Sequence, residues 1–301
     1  MRLERLSMWL WPIQRALGAL GYGQTIVGGS AARAVLDACA RRRAFDARDV
    51  DLFVVAHGAA VRAELAAVLA AIGGATGART LDPLRIKERA SASGHARVIG
   101  YGAHMQGGAL GGPILSVTVL HDEELLGLNG VLDVDTVRLR LDNARPLMAR
   151  LSGWCDFAAS PRAGVGAAVV DPLGGYAAWS RGQARVVGWG ELTRRPLGNT
   201  LRLMRSAEKL GVLGASPWRD GLRERAPWAE AAGASVASRE LGRDVHKMLG
   251  RARWRAHLEE ASRLGVFAEL APGLDAWGRG APLGAALGCE VTRGLVLGRA
   301  A

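Results

Sequence analysis

The sequence predicts a mixed α/β domain followed by a basic, mainly helical one, and three observations carry that prediction. Helix-period and strand-period segments alternate over the first 150 residues, with strand candidates following one another late in the series. A glycine-rich stretch with hairpin candidates comes next, and from about residue 197 helical periodicity dominates. At 301 residues the chain is long enough for two cores of ordinary size. The boundary falls where the texture changes, giving domains over 1–155 and 156–301.

Residues 3–20 read as an amphipathic helix, because Glu4, Pro12 and Arg15 interrupt the apolar run that a signal peptide would need. A short strand over Thr25–Val27, a helix over 30–43, a strand over 50–56 and a helix over 59–73 follow. Shorter strands are expected at "ARVIGYG" and "PILSVTVLH". A brief helix, "DEELLGL", then leads to a long strand, "VLDVDTVRLRL". Nothing approaches the roughly 18 consecutive apolar residues of a membrane span, so a cytoplasmic protein without a membrane partner is expected.

The formal net charge is +11, which favours a polyanionic partner such as RNA. Only three of the 39 basic residues are lysines, so a compositional bias toward arginine inflates the excess without removing it. Cys39, Cys155 and Cys289 lie far apart in the chain, with no CxxC and no histidine at zinc spacing, and read as reduced thiols.

Three short motifs carry chemistry. "VGGSAAR" runs a strand through Gly28, Gly29 and Ser30 straight into a helix, which aims unpaired N–H groups and the positive helix end at one spot. The bland reading of that motif is a tight turn with a serine N-cap. In "DVDLFVV", strand alternation puts Asp49 and Asp51 side by side on one face. In "VLDVDTVRLRL" the same alternation would put Asp133 and Asp135 on one face with Val137, Leu139 and Leu141. Carboxylates crowded on an apolar face repel one another, a cost that a shared hard cation such as magnesium relieves.

Together these motifs resemble the DNA polymerase β-like nucleotidyltransferases, which include poly(A) polymerases and CCA-adding enzymes. "NTLRLMRSAEKLGV" is similar to the arginine-rich helix that follows the catalytic domain in the tRNA-processing and viral-type branches. The resemblance implies a nucleotidyltransferase-type mixed sheet flanked by helices. It further implies a two-metal mechanism, with two Mg2+ ions held by Asp49, Asp51 and a third carboxylate from Asp133 or Asp135, Asp133 being preferred. Gly28, Gly29, Ser30 and Arg33 would hold the nucleoside triphosphate, an ATP-like NTP. Arg202, Arg205 and Lys209 would bind the acceptor, an RNA 3′ end. Alternatives within the fold are transfer to a protein or small molecule and a catalytically silent RNA-binding protein.

Two departures from the family pattern are visible. The connection from Ser30 to Asp49 is longer than in CCA-adding enzymes, with "RRRAFDARD" inserted before the acids. The RRD and EDxxR elements with which those enzymes select bases have no copy here, so selection of C and A is not implied.

Other signals read as ordinary structure. "RDVHKMLGRARWRAHLEEASRLG" is a basic helix candidate around Trp254, able in principle to track an RNA backbone. Arg41–Arg43 suit a helix C-terminus, "HDEEL" a helix start, and His57 a loop. "SAEK" lacks the companion motifs of the penicillin-binding proteins, and the glycines of "GYGQTIVGG" precede a strand rather than follow it.

Overall fold

Apolar residues at helical spacing give the three N-terminal helices one buried stripe each. These are α1 (Leu3–Ala19), with Leu6, Leu10, Ile13 and Leu17; α2 (Gly29–Cys39), with Ala32, Val35 and Leu36; and α3 (Val61–Thr76), with Leu65, Val68, Leu69 and Ile72. The structure, a computed structural model, describes residues 3–40, 49–82, 85–90, 96–107, 114–123, 132–166, 168–189, 192, 196–209, 211–213, 218–225, 239–250, 252–268 and 271–288. Two compact units divide it, the first spanning 1–89 and 96–178 and the second formed mainly by 179–301.

The first unit is built on a mixed sheet. Its strands are β1 (Gln24–Gly28), β2 (Asp49–Val55), β3 (Ala78–Thr80), β4 (Arg85–Ala90), β5 (Ala96–Gly107), β6 (Ile114–Leu120), β7 (Arg138–Asp142), β8 (Gly164–Val165) and β9 (Val169–Asp171). They run in the order β3-β5-β6-β2-β1-β7-β9-β8, with β4 paired to β5. Strand β1 lies antiparallel to both β2 and β7, while β2 and β6 are parallel. The hairpin β8–β9 adds to β7, so this compact unit continues to Ala178.

Register assigns the two faces of the sheet. On one, Val27, Val50, Leu52, Val54, Leu115, Val117, Val119, Leu139 and Leu141 are all buried. Helix α3 packs on this side, its Gly73 lying beside Met105, the β5 partner of Leu115. The other face carries Asp49, Asp51 and Phe53 from β2, Ser116 and Thr118 from β6, and Arg140 from β7. Its apolar residues Ile26, Phe53 and Leu120 are buried and cluster with Ile99.

The expected strand over Val131–Leu141 is corrected by the structure. Asp133–Thr136 form a 3-10 turn, and only Arg138–Asp142 join the sheet. The cause is local: the Asp133 carboxylate accepts the Val134 N–H at 2.9 Å, the Thr136 hydroxyl donates to the Asp133 carbonyl at 2.7 Å, and the Asp135 carboxylate reaches back to the Leu132 N–H at 3.4 Å. Short polar side chains that bond their own backbone compete with a strand ladder. Asp133 and Asp135 therefore do not share a strand face with Leu139 and Leu141.

Behind the turn, α4 (Leu151–Ala159) buries Trp154, whose indole N–H donates to the Ala168 carbonyl at 3.0 Å. Helix α5 (Gly175–Ser180) starts under the 3-10 turn, where a side chain on Gly175 would clash with the Asp133 carbonyl. The cysteines far apart in sequence partly converge. Cys39, on α2, and Cys155, on α4, meet between those helices, and burial followed by the neighbouring Cys155 thiol pushes the Cys39 thiol up to about 12.

The described helices of the second unit are α6 (Pro196–Lys209), α7 (Trp218–Arg225), α8 (Arg239–Leu249), α9 (Trp254–Arg263), α10 (Pro272–Gly278) and α11 (Leu283–Ala286). The single basic helix expected over 243–265 is two helices, because the chain turns at Gly250, whose N–H closes onto His246. No described helix is long and apolar enough to cross a membrane.

Candidate functional site

Strand β1 delivers Gly28 and Gly29 to the start of α2, with Gly28 opposite Asp51 across the β1–β2 ladder. Gly29 has φ +61°, a backbone conformation costly for any residue with a Cβ, and a Cβ there would collide with Asp51 Oδ2. The Asp51 carboxylate thus lies directly over the glycine turn. Helix α2 begins at Gly29, so Ser30 is inside the helix and is not its cap. Its hydroxyl donates to Asp49, with Oγ 3.0 Å from both Oδ1 and the carbonyl oxygen. The cap position, Gly28, has no side chain of its own to bond the first N–H groups of α2, and the positive end of the helix lies beside the Asp51 carboxylate.

Glycine at 28 serves a different neighbour. Its Cβ would meet Arg138 Cδ at 2.7 Å, Arg138 Nε at 2.8 Å and the Phe53 ring edge at 2.9 Å. Arg138 is buried, at 2% exposure, and its guanidinium lies 5.2 Å from the Phe53 ring centroid. Its Nη1 donates to the carbonyls of Asp135 and Val137. Sequence reasoning missed this arginine. The alternation "VRLRL" holds the signal, but only the register shows that the arginines, not Val137, Leu139 and Leu141, face the same way as Asp49 and Asp51.

The remaining candidate residues lie as follows. Arg33 is buried on α2 and donates to Asp135 Oδ1 at 2.9 Å, an ion pair with side-chain exposures of 8% and 22%. Asp133 is fully buried and close enough to Asp171 for its charge to be felt there. Burial lifts the Asp171 pKa, N–H donation from Gly175 and Tyr176 opposes the rise, and the Asp133 charge adds to it. Asp49 and Asp51 are brought together beside the turn, whereas Asp133 and Asp135 turn to other partners. Among the described residues no three His, Cys, Asp or Glu side chains gather closely enough to hold a metal ion. The Asp49–Asp51 pair supplies hard oxygen ligands that suit one divalent ion such as magnesium. Among the described residues a third carboxylate does not join them.

In the second unit, α6 buries Leu203, Met204 and Ala207, as its expected apolar stripe requires. Arg202 is exposed, while Arg205 pairs with Asp244 on α8 at 3.0 Å, both side chains 13% exposed. The Lys209 side chain lies outside the described residues, as do Arg41–Arg43 and most of "DEELLGL". Trp254 packs against Trp277 at 4.9 Å and carries Arg255 over its ring at 5.2 Å, so it serves a helix contact. His57 stacks on Tyr22 at 4.3 Å in the loop after β2. Replacing Arg205 with alanine is expected to destabilise this unit by about 2–3 kcal/mol, because Asp244 loses its partner in a largely buried place. Arg202→Ala should stay within about 0.5 kcal/mol of the parent, and paired thermal melts check the contrast.

The fold is a mixed α/β sheet flanked by helices, in which a glycine turn enters a helix beside two acids on the neighbouring strand. Solved structures share it. A CCA-adding enzyme in complex with ATP superposes with a TM-score of 0.53 at 13% identity, over 87% of this chain and 52% of that one. A tRNA-processing enzyme in an apo form gives 0.51 at 14% identity, over 91% and 60%. This chain therefore spans roughly half to three fifths of the length of the enzymes it matches. At such identities the likeness is one of fold. Neither a protein-family model nor a curated protein matches the sequence.

Proposed function

We propose that this chain is a magnesium-dependent nucleotidyltransferase that moves a nucleoside monophosphate from an NTP to an acceptor hydroxyl, the acceptor being an RNA 3′ end. The observation that carries the reading is the Asp51 carboxylate lying over Gly29, at the N-terminus of α2, in a fold shared with a CCA-adding enzyme. The first N–H groups of α2 bind phosphate oxygens through the helix dipole and direct hydrogen bonds. Asp49 and Asp51 hold the divalent ion, and the Ser30 hydroxyl fixes the rotamer of Asp49. When bound, such an ion supplies Lewis-acid stabilisation of the pentavalent phosphoryl centre and of the attacking oxygen. Arg33 and Asp135 keep α2 seated against the turn before β7. No step is assigned to Asp133, whose carboxylate is committed to its own turn.

RNA as the acceptor is supported by the +11 charge and by the solved neighbours described as CCA-adding and tRNA-processing enzymes. A second reading, a catalytically silent RNA-binding protein of this fold, is favoured by the lack of a third carboxylate beside Asp49 and Asp51 among the described residues. Incubation of the protein with each α-labelled NTP, Mg2+ and total RNA tests both. Label on RNA 3′ ends is the expected result. Label only on protein or small molecules overturns the RNA acceptor, and no label with any nucleotide overturns the transferase.

A further inference from the structure

We propose that Arg138 is a built-in counter-cation of the Asp49–Asp51 pair, keeping its intrinsic affinity for a divalent ion low so that the ion is held firmly only together with a nucleotide polyphosphate. The proposal rests on the nucleotidyltransferase reading of the site. Gly28 pairs with Asp51 on β2, and the β1–β7 register, which runs from Gln24–Asp142 to Val27–Leu139, continues by one step to set Arg138 on its other side. The close approach of Arg138 Cδ and Nε to the Gly28 Cβ position agrees with that step. Asp51 in turn occupies the space above Gly29. A cation and an anion thus cross the same glycine dipeptide from opposite sides, and the two absent side chains are what admit them.

The third strand accordingly offers a guanidinium where the family resemblance leads one to expect a carboxylate. Its two acids are turned elsewhere, Asp135 to Arg33 and Asp133 to the Val134 N–H. Arg138 is held in place by the carbonyls of Asp135 and Val137 and by the Phe53 ring, and at 2% exposure its charge is poorly screened. A guanidinium does not deprotonate in a protein, so this charge is permanent. Beside a carboxylate pair it weakens the field that a free divalent ion would feel. A metal–polyphosphate complex brings its own negative oxygens, for which the same charge is attractive. Arg138 is a positioning residue in this scheme, acting through Asp51 and the local potential.

Mn2+ titrations of the full chain by electron paramagnetic resonance, without nucleotide and with α,β-methylene-ATP, test the proposal. The parent should bind Mn2+ weakly alone and at least about tenfold more tightly with the analogue. Arg138→Met keeps the apolar stem and removes the charge. It should bind Mn2+ alone about tenfold more tightly than the parent and gain less from the analogue. Arg138→Lys, which restores the charge, should return toward parental behaviour. A merely structural arginine would leave Mn2+ affinity unchanged or weaken it in the methionine variant, and that result overturns the proposal. Should Arg138→Met fail to fold, the parent still decides, because tight Mn2+ binding that the analogue does not improve also overturns it. Asp51→Asn separates the two levels: if the parent binds no Mn2+ in either condition, or Asp51→Asn binds as well as the parent, it is the underlying reading of the site that fails.

Discussion

Changing Asp49 and Asp51 together to asparagine should abolish nucleotidyl transfer, by at least about 10³-fold in kcat/KM, while leaving the protein folded. The activity loss follows from removing the ion's anionic ligands; a 10³-fold loss corresponds to about 4 kcal/mol of transition-state stabilisation, in the range attributed to such electrostatic groups. The fold is kept because Asp49 is exposed and Asp51 half-buried, and because asparagine keeps the carbonyl that the Ser30 hydroxyl can use. Labelled-nucleotide turnover with a parallel calorimetric scan checks both halves. Parental turnover in the double variant would end the catalytic reading.

The second large effect is expected at Gly29. Alanine there must adopt φ +61°, at about 1–2 kcal/mol, and its Cβ must displace the Asp51 carboxylate. A drop in Tm of about 5 °C or more is expected, together with at least a 10²-fold loss of activity, since an ångström of misplacement at a reacting centre costs about that much. Gly28→Ala is a useful contrast, because its φ of −122° suits any residue and the clash is with the Arg138 side chain and the Phe53 ring edge. If Gly29→Ala retained full activity, Asp51 would not need its seat over the turn.

Much of this fold was legible because the informative segments are locally periodic. Helices α1, α2 and α3 and strands β1, β2, β5 and β6 all lie where their apolar spacing puts them. Strands β3 and β4 were not foreseen, since three residues of "ART" and the polar "RIKERA" carry no alternating pattern to read. At "VLDVDT" the alternation was misleading: it is a strand pattern by hydropathy, yet its aspartates bind neighbouring N–H groups and curl the chain into a 3-10 turn. The pairing of Asp49 and Asp51 with the glycine turn was visible in the order of motifs. The place of Arg138 was not. Alternation says which residues of a strand share a face but not which face meets a neighbour's, and that depends on a register set more than 100 residues away.

Helix α2 is fastened along its whole length. Ser30 is tied to β2, Arg33 to the turn before β7, the Leu36 carbonyl to the Tyr176 hydroxyl at 3.1 Å, and Cys39 to α4. The N-terminal end of such a helix is held close to the acids beside it. A nucleotide arriving there would meet a cradle already in its final shape, with little entropy left to surrender on the protein's side, so differences in affinity among nucleotides would arise at the base and sugar and not at the phosphates.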